Sequence, residues 1–501
     1  MRNNWDADVI VVGGGPVGVT ALALLGQAGV SAIGFDRDAD VWPSARAVHF
    51  DGETFRTLQA LGVAERFRDA TLPMASMHIE NEAREVLFSL PTGQFGSQAW
   101  HDDLNFHQPD IERLLRGALD DLPVVDLRSE HSVSSVENVP GGVEVTVTGP
   151  DGQTSVARAG WVIAADGGRS EIRTALGVET DRFGTDAQWL VVDGQLVDSP
   201  GHQDDMIFMG HHSRPALWVR LPGTRVRMEF MMMPGDDPAE IVTPEAIERL
   251  SHGVLPIDKF TADRCAIYTF RGRIARQWRV GNVFLAGDAA HQAPPLFGQG
   301  LCAGIRDAAN LTWKLDLVRR GLAGDDLLDT YESERKYHAK FWVEQAANAA
   351  SFVQTTDAEV ALQRDAFIRA NPASVAPITP PLGPGLHDGG ADDRAGRLSI
   401  QPILADGTRL DDMVGVHFVV ATTWEMWNAL PEGLRSLIED HDDVVVLLDP
   451  AKTSQLLEAT GSRAVVIRPD RYIMSLADDS GDLAAQLVRI PGVNVGAPAD
   501  A

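Results

Sequence analysis

At 501 residues the chain has material for roughly two to four domains with a substantial core. Its 44% hydrophobic and 23% charged residues are those of an ordinary globular protein. Lys+Arg 43 against Asp+Glu 71 gives a formal net charge of −28, which opposes binding to phosphate backbones and anionic membranes, so neither a nucleic acid nor a membrane partner is expected.

The apolar run Val9–Val12 has the character of a buried parallel strand and stops at glycine; helix composition follows over Val19–Ala28. Gly13, Gly15 and Gly18 fit the G-x-G-x-x-G spacing of a dinucleotide fold. Gly13 permits the tight turn, Gly15 lets backbone N–H groups approach a pyrophosphate, and Gly18 lets helix and strand pack closely. The helix N-terminus offers free donors and a positive dipole end to phosphates. A second strand, Ala32–Phe35, ends in Asp36, whose carboxylate can accept from ribose hydroxyls.

The loop from Pro43 to Gly52 carries Arg46 and His49. Arg46 is read either as a cation beside the cofactor or as a surface ion pair. His49 either faces the reaction site or is a hydrogen-bonded loop residue. Residues 74–100 alternate as strands, and Gln108 stands just before a helix opened by Pro109 at its first position. Residues 124–164 read as a meander ending in a strand, Trp161–Ala164. That strand runs into Asp166-Gly167 and a helix to Leu176, a second nucleotide contact.

Alternating segments over 183–275 indicate a separate antiparallel sheet, its methionines mainly core filling. The chain then returns to the nucleotide fold. Val283–Ala286 is a strand, Gly287 and Asp288 cap it, and a rigid loop containing Pro294, Pro295, Gly298 and Gly300 leads into a helix, Leu301–Arg319. Asp288 is placed for ribitol hydroxyls. The helix start puts positive dipole beside a ring that becomes anionic on reduction, an effect of about 0.3–1 kcal/mol. His291 is read as structural. A helix over Leu327–Ala350 is expected to carry Glu332-Ser333-Glu334-Arg335 as a solvated ion-pair face. Residues 371–397, rich in Pro, Gly and Asp, have linker composition. The remainder reads as a small α/β domain without cysteine, suited to packing or oligomerisation.

The two cysteines, Cys265 and Cys302, form neither a disulfide framework nor a metal site, and no metal is expected. The first residues lack a signal-peptide core, and no apolar run approaches the roughly 20 residues that cross a bilayer. A cytoplasmic protein is the expectation.

Three signatures in order resemble the class A FAD-dependent aromatic hydroxylases of the para-hydroxybenzoate hydroxylase type. They are Gly13-x-Gly15-x-x-Gly18, Asp166-Gly167, and Gly287-Asp288 with Pro294-Pro295-Leu296-Phe297-Gly298-Gln299-Gly300. Arg46-Ala47-Val48-His49 and the stretch from Gly298 to Ala308 look most like the 3-(3-hydroxyphenyl)propionate hydroxylase branch, whose C-terminal domain is thioredoxin-like without redox cysteines. Arg468-Pro469-Asp470 is similar to a sequence recurrent there.

The resemblance implies an α/β fold with a Rossmann-like FAD-binding domain (1–182 and 276–370) and an inserted antiparallel-sheet substrate domain (183–275, with strands near 74–100). A linker (371–397) and a thioredoxin-like domain (398–501) complete it.

Carried over by motif, Gly13, Gly15, Pro16, Val17, Gly18, Asp36, Arg37, Arg46, Gln108, Asp166, Gly287, Asp288, Pro295, Gly298, Gly300, Leu301 and Cys302 should bind FAD. The implied chemistry is reduction by NADH or NADPH, addition of O2 to give a flavin C4a-hydroperoxide, and oxygen transfer to a small phenolic substrate such as 3-(3-hydroxyphenyl)propionate. His49 and Tyr268 are the candidates for the substrate hydroxyl. Arg214, Arg220, Arg225, Arg227 and Pro294 are the candidates for binding the rest of the substrate. A homodimer is compatible with the resemblance. The alternatives are a tailoring monooxygenase acting on a polycyclic phenol, by hydroxylation or Baeyer–Villiger insertion, and a non-catalytic flavin-binding protein.

Overall fold

In the computed structural model the first strand, Ala7–Val12, is covered by helices, and its Val9, Ile10 and Val11 are wholly buried. Runs of β-branched residues of this kind suit a parallel strand buried on both faces. The structure describes residues 5–43, 45–197, 205–254, 260–372, 379–388 and 392–493. Ala7–Val12 lies between Ala32–Phe35 and Thr154–Ala164, parallel to both. Val125–Arg128 extends the sheet beyond one neighbour and Val283–Leu285 beyond the other.

The register places Val12 opposite Phe35 and Ala164, and Ala164 opposite Leu285. All four strands therefore end at one edge. The residues that follow, Gly13, Asp36, Ala165-Asp166 and Ala286-Gly287, are brought side by side there. Backbone bonds lock this edge: Gly13 N–H to Phe35 O, Ala165 N–H to Val12 O, and Ala286 N–H to Ala164 O. The carboxyl edge of such a sheet is where ligands bind in doubly wound folds.

The reading of 124–164 as one meander is corrected. Val125–Arg128 pairs in parallel with Ala32–Phe35, so it belongs to the nucleotide sheet. Only Ser132–Val139 and Gly142–Thr148 form the antiparallel arm, continuing onto Thr154–Ala164. A parallel pair needs a long crossover, here the entire segment from residue 36 to 124.

A second eight-stranded sheet runs in the order His291–Gln292, Phe260–Ala275, Thr180–Leu196, Arg225–Met231, Ala216–Arg220, Met206–Met209, Ser76–Glu80, Val86–Pro91. Cross-strand register aligns Val191, Glu229 and Leu217 in one row and Asp193, Arg227 and Val219 in the next. Side chains on a strand alternate between faces, so these rows share one face. Two helices, Pro244–Val254 and Ala358–Ala370, were not anticipated from the sequence.

The helix Gln299–Arg319 packs on Pro16–Gln27, and Asp326–Val353 packs on it in turn. The solvated face expected for Glu332-Ser333-Glu334-Arg335 is half wrong. Glu334 and Arg335 are completely buried, paired with Arg468 and Asp307, while Glu332 stays partly exposed beside Lys336.

The thioredoxin-like domain holds a four-stranded sheet, Val444–Leu447, Phe418–Thr422, Ala464–Ile467, Ile473–Ala477, with its first pair parallel and the others antiparallel. Of the segment 371–397, residues 373–378 and 389–391 lie outside the described residues. The part from 379 to 388 docks rather than dangles: Leu382 is buried, and the N–H of Gly383 donates to Glu334 O. Among the described residues no helix is long and apolar enough to cross a membrane.

Candidate active site

A cavity of about 350 Å3 opens where the carboxyl edge of the nucleotide sheet meets the inner face of the second sheet. Gly15, Pro16, Val17, Arg46, Asp288 and Leu301 form one side of it, and Leu217, Val219, Arg227, Glu229, Tyr268 and Phe270 the other.

The nucleotide side is shaped by its glycines. Gly13 has φ +106, and a Cβ on it would lie 2.3 Å from Ala165 O, so this turn and the Asp166 turn can touch only through glycine. A Cβ on Gly18 would lie 1.9 Å from Gly13 O, the close helix–strand contact expected of it. Asp36 sits over Gly14, and Arg116 joins the two by donating to Asp36 Oδ2 at 2.9 Å and to Gly14 O at 3.0 Å. Arg37, the next residue, is exposed and lies outside the cavity wall.

Two helix N-termini border the cavity, and neither has a side-chain cap. Gly15 precedes Pro16–Gln27 and Gly298 precedes Gln299–Arg319. A Cβ on Gly15 or Gly300 would meet nothing within 4 Å, so the backbone there lies open. Free N–H groups and positive dipole ends at both places form an anion-binding pair.

Asp288 projects into the cavity with protein around its other sides. That enclosure pushes its carboxyl up, against the pull of His291, Arg46 and Arg173. Asp166 accepts from the N–H of Ile172 with one oxygen, while the other is buried without a partner among the described residues; burial raises its carboxyl too. These donors and acceptors fit FAD. Its phosphates suit the first helix N-terminus, its hydroxyls Asp36 and Asp288, and its ring the second N-terminus.

Gln108 and Arg227 do a job the sequence did not disclose. Gln108 Oε1 accepts from the N–H groups of Arg46 and Ala47, at 2.7 Å each. Arg227 donates to the carbonyls of Ala45 and Arg46 at 2.6 and 3.0 Å. The loop that carries Arg46 is thus held from both sides, by the nucleotide domain and by the substrate sheet. Arg46 itself lies over the Trp42 ring and lines the cavity.

His49 is buried, with Nε2 2.6 Å from Asp103 Oδ1 and Nδ1 against Gly298. Burial alone would lower its pKa. Hydrogen bonds to Asp103 and Cys302 outweigh that and hold it well above the ordinary value. Cys302 is wholly buried, its thiol turned toward the carbonyls of His49 and Gly298; its neighbours Gly300 and Leu301 line the cavity. Tyr268 also lines it, with its hydroxyl taking a hydrogen bond from Arg264. Arg264 in turn reaches Asp193 at 3.2 Å.

Several substrate candidates lie elsewhere. Arg214 is held by Asp236 and Met231 O, outside the cavity. Arg220 pairs across the sheet with Val226, one step out of phase with Arg227. It therefore faces away and donates to the carbonyls of Gly223 and Arg225. Arg225 lies near Asp110 at 3.7 Å. Pro294 is buried behind the wall, which Ala293 and Pro295 form instead. Gly287 also lies behind the wall, its N–H donating to Asp307 Oδ2 at 3.0 Å while Ala286 and Asp288 face inward. His291 contacts the same Asp307 oxygen at 2.7 Å and stacks on Trp278, a structural role.

Sequence reasoning passed over Asp103, Asp193 and Glu229. Glu229 is buried on the cavity wall between Val191 and Leu217. Burial, opposed by Arg227 and reinforced by Asp193, pushes its carboxyl up to about 7. The one available signal was the spacing of Arg225, Arg227 and Glu229, three charges at alternate positions of a strand.

Comparison with known proteins bears on this cavity. The family described as FAD binding domain matches residues 6–346. The chain belongs to that family. A probable NADH-specific resorcinol 4-hydroxylase of Rhodococcus jostii is 33% identical over 497 residues, covering 95% of this chain and 93% of that one. A 3-(3-hydroxy-phenyl)propionate/3-hydroxycinnamic acid hydroxylase of Mycobacterium sp. (strain JLS) is 32% identical, covering 94% and 89%. The solved flavin-dependent monooxygenase PieE shares the fold, with a TM-score of 0.82 over 97% of this chain and 99% of its own at 24% identity. The protein is an FAD-dependent aromatic monooxygenase that takes its electrons from a nicotinamide nucleotide.

Proposed function

We propose that the protein hydroxylates a single phenolic ring, of the class for which its relatives are named: 3-(3-hydroxyphenyl)propionate or resorcinol. The observation that carries this reading is the two-sided cavity. One wall presents an uncapped helix N-terminus and Asp288, and the opposite wall presents the apolar side chains of Leu217, Val219 and Phe270 beside Tyr268 and Glu229. FAD, when bound, supplies the oxygen-transfer chemistry. The chain's own residues bind and orient the ring. Val219, Leu217 and Phe270 exclude water from one face of it. Tyr268, whose oxygen already accepts from Arg264, keeps its own proton to donate to a substrate oxygen. His49, held cationic by Asp103, adds positive charge near a ring hydroxyl and favours its phenolate form.

The test is product analysis with the purified yellow holoenzyme, NADH and O2, and either phenol. One added oxygen on the ring, with matching NADH consumption, is expected. Turnover of polycyclic phenols alone would favour the tailoring alternative and overturn this reading, and a protein that takes up no flavin would overturn the assignment altogether.

A further inference from the structure

On the substrate sheet Arg227 and Arg264 are already committed. Arg227 uses four of its five N–H donors: Nε and Nη2 on Asp193 at 2.7 and 3.0 Å, and the remaining two on the carbonyls of Ala45 and Arg46. Arg264 is spent on Asp193, Ala45 O and the Tyr268 hydroxyl. Arg271 reaches Asp186 through Nε, at 3.2 Å, at the partly exposed rim, away from the buried wall that carries Glu229. Arg46 belongs to the cofactor wall. Glu229, by contrast, is buried on the substrate wall with no hydrogen-bond partner among the described residues. The neighbouring Asp193 takes the arginine that would otherwise neutralise it.

From this arrangement we propose that Glu229 is a specificity-determining residue: it accepts a hydrogen bond from a second ring hydroxyl and repels a carboxylate-bearing side chain, so the enzyme takes an uncharged dihydroxylated ring in preference to an arylpropionate. The inference rests on the phenol-hydroxylase reading above and selects within it. Two physical effects act in the same direction. A buried acceptor without a partner gains most from a ligand that supplies a donor, and a ligand that lacks one leaves it unsatisfied. Above about pH 7, where the carboxyl is ionised, a second carboxylate placed beside it in a low-dielectric pocket is disfavoured by like-charge repulsion, so the two rings are compared at pH 8. The carboxyl's position near pH 7 is what a pocket with this little compensation produces.

The test compares resorcinol with 3-(3-hydroxyphenyl)propionate on the flavin-loaded wild type and on Glu229→Gln and Glu229→Met. The two readouts are kcat/KM for product and the Kd from perturbation of the flavin absorbance. The wild type should favour resorcinol by both. Each variant should lower that preference at least tenfold, chiefly through KM and Kd, with weaker resorcinol binding and tighter binding of the propionate. Flavin content and melting temperature show that each variant is folded, and the apolar Met variant separates lost hydrogen bonding from lost charge. An unchanged preference in both folded variants overturns the proposal, as does a wild type that favours the propionate. Binding without hydroxylation refutes the phenol-hydroxylase reading but leaves the Kd ratio to decide on Glu229. If neither ring perturbs the flavin, both are overturned.

Discussion

Arg468 and Glu334 meet as a two-pronged ion pair, Nη1 to Oε1 and Nη2 to Oε2 at 2.7 Å each, with neither side chain exposed. Arg468 belongs to the thioredoxin-like domain and Glu334 to the helix Asp326–Val353. Lys314, on the helix that starts at the cavity, reaches the same carboxylate at 2.7 Å, and Asn310 donates to it at 2.9 Å. Glu334 therefore ties the C-terminal domain to the helix whose first turn borders the cofactor wall. Those cations hold its carboxyl far below the usual range despite burial. Glu334→Gln leaves two buried cations with only Asp470 to share, and breaking a buried pair costs about 3–5 kcal/mol. A clear fall in melting temperature is expected, together with faster loss of flavin on heating. A melting point within a degree or two of wild type would refute the role given to this pair.

Gly298 occupies the left-handed region, φ +63, immediately before the helix Gln299–Arg319. A Cβ there would lie 2.5 Å from His49 Nδ1, so Gly298→Ala combines backbone strain of about 1–2 kcal/mol with displacement of the imidazole. The His49–Asp103 bond and the entry of the helix must both shift. The expected result is at least a tenfold weaker FAD affinity, read by fluorescence titration of the apoprotein. Gly62→Ala, also at positive φ but with open space around its Cβ, should leave FAD affinity near wild type.

His49 provides a pH test. Its folded pKa is raised, so the stabilisation it shares with Asp103 is fully present below the unfolded value, about 6.5, and is lost as pH rises through the folded value. In Asp103→Asn the main support is gone, and burial then disfavours the charged ring. The melting-temperature gap between wild type and Asp103→Asn should be widest between about pH 5 and 6.5 and should narrow in alkaline solution. A gap that does not change with pH would show that the pair is a neutral hydrogen bond.

Much of the cofactor wall was legible because each signature is local. A strand that stops at glycine and restarts as a helix fixes its own turn, and four such strands in parallel register must end at the same edge. The substrate wall was harder to read, because two of its strands, Ala216–Arg220 and Arg225–Met231, are buried on both faces and alternation there no longer separates inside from outside. Arg220 and Arg227 look equivalent in sequence yet face opposite ways, through a one-residue difference in register. Glu334 was read as solvated for a related reason. Charges on a long helix usually face water, and the arginine that covers this one lies 134 residues further on. Gln108 was expected to touch the cofactor. It lines the cavity and also holds the backbone of the Arg46 loop, a second role visible only in three-dimensional contacts.

Glu229 carries a stability signature that does not depend on any substrate. Its carboxyl is raised from the ordinary 4.5 to about 7, so between those values the folded protein holds a proton that the unfolded chain has released. Stability therefore falls as pH rises through that window and levels off above it. A shift of this size corresponds to a cost on the order of 3 kcal/mol once the group is ionised. Glu229→Gln keeps the shape and removes the ionisation. The variant should melt close to wild type at pH 5 and measurably higher at pH 8, with the gain developing between about pH 5 and 7. Chemical denaturation at several pH values checks this without reference to catalysis. A variant less stable than wild type at pH 8 would mean that the carboxylate is satisfied in the folded protein, and that the second sheet supplies it with a partner.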